Sequence, residues 1–161
     1  MTLYKVPKKN VPLNEKSTMN EKTFPSVNIS REFRASPEII FDAWIKPEIM
    51  KNWLFKSPVN KIVRVTANPQ ANGVFSIVEL TENGDIIDHF GQYICVDRPT
   101  KLEFTLEVPK HFPGVTEVSL TLGRTPEGSC RFHFVQTGVD PQMVEESWRK
   151  MLSQLYELTD C

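Results

Sequence analysis

Apolar residues recur every three or four positions along the last part of the chain, Pro141–Thr159. This spacing places them on one face of a helix and the charged residues on the other. The apolar face consists of Met143 or Val144, Ser147, Trp148, Met151, Leu152, Leu155 and Tyr156. Because this face is bulky and aromatic, it needs a large apolar partner surface. We expect the preceding strands to supply that surface.

Alternating apolar and polar residues dominate the middle of the chain, which is typical of half-buried β-strands. One turn contains Asn83-Gly84, a strong signal for a hairpin. Short strands joined by tight turns predict an antiparallel meander. The predicted strands span residues 27–34, 61–67, 73–80, 86–96, 101–108, 115–124 and 129–138.

Two short helices are predicted between the first two strands. Ser36 and Pro37 form a typical helix start, with Ser36 as the N-cap and Pro37 in the first turn. This helix is expected to end at Trp44. Pro47 is well suited to begin a second helix, which is expected to reach Trp53.

The composition is that of an ordinary globular protein. The chain has 161 residues, of which 40% are hydrophobic and 24% charged, and its net charge is −1. This charge gives no electrostatic reason to expect a nucleic-acid partner. No apolar run approaches the roughly 20 residues of a membrane span, so none is expected.

The chain is expected to divide into a tail and one domain. Residues 1–24 contain five lysines, two glutamates and no sustained periodicity, so we expect residues 1–25 to be a flexible extension and 26–161 a single domain. The three cysteines are scattered, and no signal-peptide pattern is recognisable. These two features favour a cytoplasmic location.

The motifs of common catalytic and cofactor sites are missing from the sequence. It contains no G-x-S-x-G, no P-loop and no G-x-G-x-x-G. Cys130 and His133 lie three residues apart in one predicted strand, so their side chains point to opposite faces. Neither the cysteines nor the histidines have the spacing of metal ligands. We therefore expect no metal, no cofactor and no covalent catalysis.

Some residues of the predicted sheet and helix are candidates for a binding site. In residues 129–138 the alternation turns Gln136 toward the helix, where its amide either bonds to the backbone or contacts a ligand. His89 and Tyr93 share one face of their strand, and Gly91 between them predicts a bulge or a close approach. Trp53 and Phe112 are candidates for the mouth of a site. The full set is Trp53, His89, Tyr93, Phe104, Phe112, Phe134, Gln136, Trp148, Leu152 and Tyr156.

The order of elements resembles the helix-grip arrangement of the START-like (SRPBCC) superfamily. Residues 33–54 (FRASPEIIFDAWIKPEIMKNWL), 91–104 (GQYICVDRPTKLEF) and 116–138 (TEVSLTLGRTPEGSCRFHFVQTG) are similar to the family related to the activator of Hsp90 ATPase homologue 1, the AHSA1-like family. The final helix, with Trp148, also resembles that family. The likeness covers about residues 26–159. It implies an α+β fold in which a curved antiparallel sheet wraps around a long C-terminal helix.

Three hypotheses for the function follow. The first is non-catalytic binding of a small hydrophobic or amphipathic molecule between helix and sheet, oriented by Gln136 and Tyr156. The alternative, implied by the resemblance, is a protein-interaction or stress-response module related to Hsp90 co-chaperones, which binds another protein or a second copy. The third is an enzyme of the cyclase or hydrolase type.

Three observations would separate these hypotheses. A roomy cavity with convergent polar atoms favours ligand binding. A filled core beside an exposed apolar patch favours a protein partner. A buried His89 that is hydrogen-bonded to a carboxylate favours catalysis.

Overall fold

The structure, a computed structural model, describes residues 25–160. Residues 1–24 of the predicted extension (1–25) and the terminal Cys161 therefore lie outside the described residues. The strands are β1 (Ser26–Phe33), β2 (Lys61–Ala67), β3 (Val74–Leu80), β4 (Ile86–Asp97), β5 (Lys101–Leu106), β6 (Thr116–Arg124) and β7 (Cys130–Thr137). The helices are α1 (Pro37–Ile45), α2 (Pro47–Met50) and α3 (Pro141–Thr159).

The seven strands form one antiparallel sheet in the order β1-β7-β6-β5-β4-β3-β2. Strands β2 to β7 follow each other as a meander, and β1 pairs with the last of them. Strands β1 and β2 therefore occupy opposite edges, and α1 and α2 connect them. The predicted α+β helix-grip fold, with two short helices after the first strand and a long C-terminal helix, is confirmed.

The two short helices begin where the sequence predicts. Ser36 is the N-cap of α1, and its hydroxyl accepts a hydrogen bond from the backbone N–H of Ile39 (3.4 Å). The second helix is shorter than predicted, because it gives way to turns after Met50. These turns run to Phe55, whose φ of 59° is left-handed. A residue in this conformation commonly ends a helix.

Helix α3 has the predicted boundaries but only part of the predicted buried face. Trp148, Met151, Leu152 and Leu155 are buried against the sheet and the short helices, as expected. Met143 is 66% exposed and Ser147 is also exposed, so within the first two turns Val144, which is half-buried, supplies the apolar contact with the core. A space therefore remains between these turns and the strand ends.

Gly91 marks a close approach of two strands, one of the two outcomes that the sequence predicts. A Cβ atom at this position would lie 1.8 Å from the carbonyl oxygen of Thr105 and 2.9 Å from the ring of Phe75. The backbone of β5 therefore occupies the space that any side chain would need.

We expect Gly91→Ala to lower the free energy of unfolding by at least about 2 kcal/mol, because the backbone of Thr105 must move. Gly123→Ala in β6 is the matched control, since a Cβ atom added there would have no described atom within 4 Å. Urea denaturation of both variants tests this. Equal stabilities would contradict the proposed clash.

Candidate functional site

A cavity of about 410 Å³ occupies the space left by the first turns of α3. This volume lies in the range of small-molecule sites. The loop after α2, the loop after β5, and the side chains of Glu79 in β3 and His89 in β4 close its other sides. Its apolar wall comprises Phe55, Pro58, Leu106, Val108, Phe112, Met143, Val144, Trp148 and Met151. We call this space the outer cavity.

Two depressions of about 640 and 700 Å³ are larger than the outer cavity. One follows β1, β6 and β7, and the other lies between α3 and the loop after α2. Both are broad and open to solvent, whereas the outer cavity is bounded by both helix and sheet. We therefore take the outer cavity as the candidate site despite its smaller volume.

A polar cluster lies at one wall of the outer cavity. His89 of β4 is 4% exposed, and its Nε2 donates a hydrogen bond to Oε1 of Glu79 (2.9 Å). Asn60 donates from Nδ2 to Oε2 of the same carboxylate (2.8 Å) and to the carbonyl oxygen of Phe55 (2.8 Å). The Oδ1 of Asn60 accepts from the backbone N–H of Ser57 (2.8 Å). These backbone partners fix the orientation of the amide, so both carboxylate oxygens accept hydrogen bonds.

The environment of His89 favours its neutral form. Burial lowers the pKa of the imidazole below its ordinary value, although the hydrogen bond to Glu79 acts in the opposite direction. Because Nε2 carries the proton that Glu79 accepts, Nδ1 is the unprotonated nitrogen. Within residues 25–160, this buried Nδ1 has no hydrogen-bond partner. The ring of Phe55 stacks on the imidazole at a centroid distance of 3.9 Å.

A second polar chain ties α3 to the sheet beside the cavity. The indole N–H of Trp148 donates to Oε1 of Gln136 (2.8 Å), and Nε2 of Gln136 donates to Oγ1 of Thr116 (3.1 Å). The Thr116 hydroxyl donates to the carbonyl oxygen of Leu106 (2.8 Å). Both polar atoms of the Gln136 amide thus bond to side chains. The sequence leaves open a bond to the backbone or a contact with a ligand, and the backbone bond is not the one formed among the described residues.

Four of the ten residues that the sequence suggests lie at the outer cavity: His89, Phe112, Gln136 and Trp148. They come from β4, the loop after β5, β7 and α3. Tyr93 and Phe104 lie deeper, around a much smaller space. These positions agree with the face of the sheet that strand alternation assigns to them.

The other four residues lie away from the cavity. Phe134 and Leu152 are fully buried in the core. Trp53, which the sequence suggests as part of the mouth, is also fully buried in the core. There its indole N–H donates to the carbonyl oxygen of Ala43 in α1 (2.9 Å). Tyr156 lies near the far end of α3, where the guanidinium of Arg31 sits 5.0 Å from its ring centroid.

Sequence reasoning did not select two residues of the polar cluster. Glu79 lies two and four positions after Ile77 and Phe75 in β3, so strand alternation places it on their apolar face. A carboxylate on such a face is the same kind of signal that singles out Gln136, and it would have identified Glu79. Asn60 lies in a loop, where no periodicity indicates its partner.

Comparison with known proteins agrees with this fold. The family model of activator of Hsp90 ATPase homolog 1-like proteins matches residues 34–160, and the chain belongs to this family. No curated protein shows significant similarity to the chain.

Several bacterial structures have the same fold. One, from Chromobacterium violaceum, is 20% identical over 84% of this chain and 97% of that chain, with a TM-score of 0.74. One from Rhodobacter sphaeroides is 18% identical over 86% and 95%, with a TM-score of 0.73. An AHSA1-like protein of Aeromonas hydrophila is 18% identical over 82% and 90%, with a TM-score of 0.70. At these identities the likeness shows the fold alone.

None of the helices in the described part of the chain has the length and apolar character needed to cross a membrane.

The burial of His89 predicts a pH dependence of stability. The unfolded chain takes up a proton near the ordinary pKa of 6.5, whereas the folded chain does so only at lower pH. Between these two values the unfolded state binds more protons, so stability falls as pH falls below 6.5. His89→Phe removes this contribution. We expect the stability of the wild type relative to His89→Phe to fall by up to about 1.4 kcal/mol per pH unit in that window.

Urea denaturation of both proteins from about pH 7.5 to about pH 5.5 measures this difference, because titrating groups that do not interact with His89 contribute equally to both proteins. A difference that stays constant, or that grows in favour of the wild type at low pH, would show that burial does not depress the pKa of His89.

Proposed function

We propose that this protein binds a small amphipathic molecule in the outer cavity. The observation that carries this proposal is the separation of the first turns of α3 from the sheet, which leaves about 410 Å³ between them. Apolar and polar residues both line this cavity, and the polar groups that the sheet contributes are Glu79, His89 and Gln136. A pocket of this kind gains affinity from apolar contact and orientation from its polar atoms.

Apolar burial supplies the driving force for such binding. Each 100 Å² of apolar ligand surface removed from water contributes about 2.5 kcal/mol before the cost of association is subtracted. The glutamate carboxylate in the polar cluster disfavours an anionic group beside it. The charged groups nearer the surface are Lys56 and Lys150, which suit a polar or solvated end of the ligand.

The surface supports the protein-interaction alternative less well. Of the nine large apolar side chains that are exposed among residues 25–160, four lie on the neighbouring strands β2, β3 and β4, and the other five lie on two helices and two loops. Single exposed apolar residues are normal on soluble proteins. These residues are Ile39, Val59, Val63, Val74, Ile86, Ile94, Val115, Met143 and Leu158.

A bulky side chain at Ser147 should block the outer cavity. Ser147 is exposed on α3 and lines the cavity, so Ser147→Trp fills the space without a change in the core. We expect the neutral fluorophore N-phenyl-1-naphthylamine to bind the wild type with increased emission, and Ser147→Trp to weaken binding at least about ten-fold, because the apolar contact surface is lost.

Ser153→Trp is the matched control for this experiment. Ser153 is also exposed on α3 but lies outside the outer cavity, so this variant should bind the fluorophore like the wild type. If Ser147→Trp binds as well as Ser153→Trp, or if the wild type does not bind, the proposed site is wrong.

A second candidate function is proton transfer at the His89–Glu79 pair. A buried histidine hydrogen-bonded to a carboxylate at a cavity wall is the arrangement that favours catalysis in this chain. With Nε2 bonded to Glu79, Nδ1 is the nitrogen left to accept a proton. Phe55 stacks on the ring and Nδ1 is enclosed, so a substrate reaches it only after local movement.

The probe for this candidate is 5-nitrobenzisoxazole, a neutral carbon acid. Removal of its C3 proton by a base breaks the N–O bond and releases 2-cyano-4-nitrophenolate, and the base later returns the proton to water. If the candidate is correct, the protein accelerates this reaction, and His89→Phe returns the rate to that of buffer. A rate unaffected by His89→Phe would rule out this role for the pair.

A further inference from the structure

A second and much smaller space lies behind the outer cavity. Its volume is about 10 Å³, which is close to the minimum needed for one atom the size of a water oxygen. It is lined by Trp44, Met50, Leu54, Phe55, Phe75, Tyr93, Phe104 and Trp148. We call it the inner pocket.

Two residues of the inner pocket have buried polar atoms without a partner. The indole Nε1 of Trp44 and the hydroxyl of Tyr93 make no hydrogen bond to any of residues 25–160. Both residues are only 2% exposed. Buried groups of this kind are normally hydrogen-bonded, because leaving them unpaired is costly. Because both residues line the same oxygen-sized space, an atom placed there would neighbour both side chains.

The chemistry of these two groups restricts what the partner is. An indole N–H only donates. Burial raises the pKa of the Tyr93 phenol, so the group stays neutral and is also able to donate. The matching atom is therefore an oxygen that accepts two hydrogen bonds. Among residues 25–160, no cationic side chain lines the inner pocket, so a carboxylate there would be an uncompensated buried charge, whereas a neutral carbonyl fits.

Phe55 separates the two spaces, since it lines both of them. Its φ of 59° is unusual for a bulky residue, and its half-buried ring lies 5.6 Å from that of Trp148. Trp148 also lines both spaces, but its indole is held by Gln136. The ring of Phe55 is held by stacking on His89 and by no side-chain hydrogen bond, so it is the part of the partition that a ligand has to displace.

We propose that the ligand is a neutral carbonyl compound whose apolar body occupies the outer cavity and whose carbonyl oxygen enters the inner pocket past Phe55. There the oxygen accepts hydrogen bonds from Trp44 Nε1 and the Tyr93 hydroxyl. This proposal rests on the proposed binding function and adds the chemical class of the ligand.

A matched pair of probes tests this class. The ketone 2-acetylnaphthalene and the hydrocarbon 2-ethylnaphthalene have nearly the same shape, but only the ketone has an acceptor oxygen. Their affinities are measured by displacement of N-phenyl-1-naphthylamine. We expect the wild type to prefer the ketone by roughly ten-fold, as the gain of one or two buried hydrogen bonds predicts.

Tyr93→Phe removes one donor from the inner pocket. The fold should tolerate this change, since the hydroxyl has no partner among the described residues. We expect the preference for the ketone to fall at least about three-fold in this variant, with little change for the hydrocarbon. Tyr156→Phe, whose ring contacts Arg31 far from the cavity, is the matched control and should keep the wild-type preference.

The infrared carbonyl stretch of the bound ketone gives a second readout. It should lie at lower frequency in the wild type than in Tyr93→Phe, because hydrogen bonding weakens the C=O bond. Equal affinities for ketone and hydrocarbon, or a preference that Tyr93→Phe leaves unchanged, would overturn the inference and assign the inner pocket to water. In either case binding of the fluorophore would still support the proposed function. Absence of fluorophore binding in the wild type would overturn both proposals.

Discussion

The contact of Trp148 with the sheet is the interaction on which the rest of the structure depends. Its indole packs against Phe134 and Trp44 while its N–H bonds to Gln136, which in turn bonds to Thr116. This anchor fixes where α3 meets the sheet. Beyond it Met151, Leu152 and Leu155 are buried, whereas before it Met143 and Ser147 are exposed and Val144 is only half-buried. The outer cavity is thus a consequence of one buried polar and aromatic contact.

The candidate site combines satisfied and unsatisfied polar groups, and the two kinds have different consequences. The cluster of Asn60, Glu79 and His89 is almost fully paired, so it holds the loop after α2 against β3 and β4. The polar atoms of Trp44 and Tyr93 have no partner within residues 25–160 and lie deeper. Buried polar atoms are normally paired, so these two call for a partner such as a bound water or a ligand atom. Phe55, in a strained backbone conformation, stands between the two groups.

Local patterns along the chain predicted most of the fold. Helix α3 has the boundaries that its apolar periodicity indicates, because burial of one helical face produces that period. Strand alternation correctly predicted that Gln136 faces the helix side of the sheet. The same rule applied to β3 would have placed Glu79 on that side as well and so identified the polar cluster. The exposure of Met143 and Ser147 was not predictable, because periodicity shows which face is apolar but not how much of it is covered.

Sequence patterns alone predicted the order of the elements, most of their boundaries apart from the ends of α2 and β5, the side-chain faces of the strands and the AHSA1-like family. All of these depend on residues close together along the chain or on motifs within one element. The tertiary structure decided which aromatic residues are core and which line a cavity. It brought Glu79 to His89 and Trp44 near Tyr93, since these distances depend on sheet curvature and on the position of α3. That position results from packing across the whole domain, which no local pattern records.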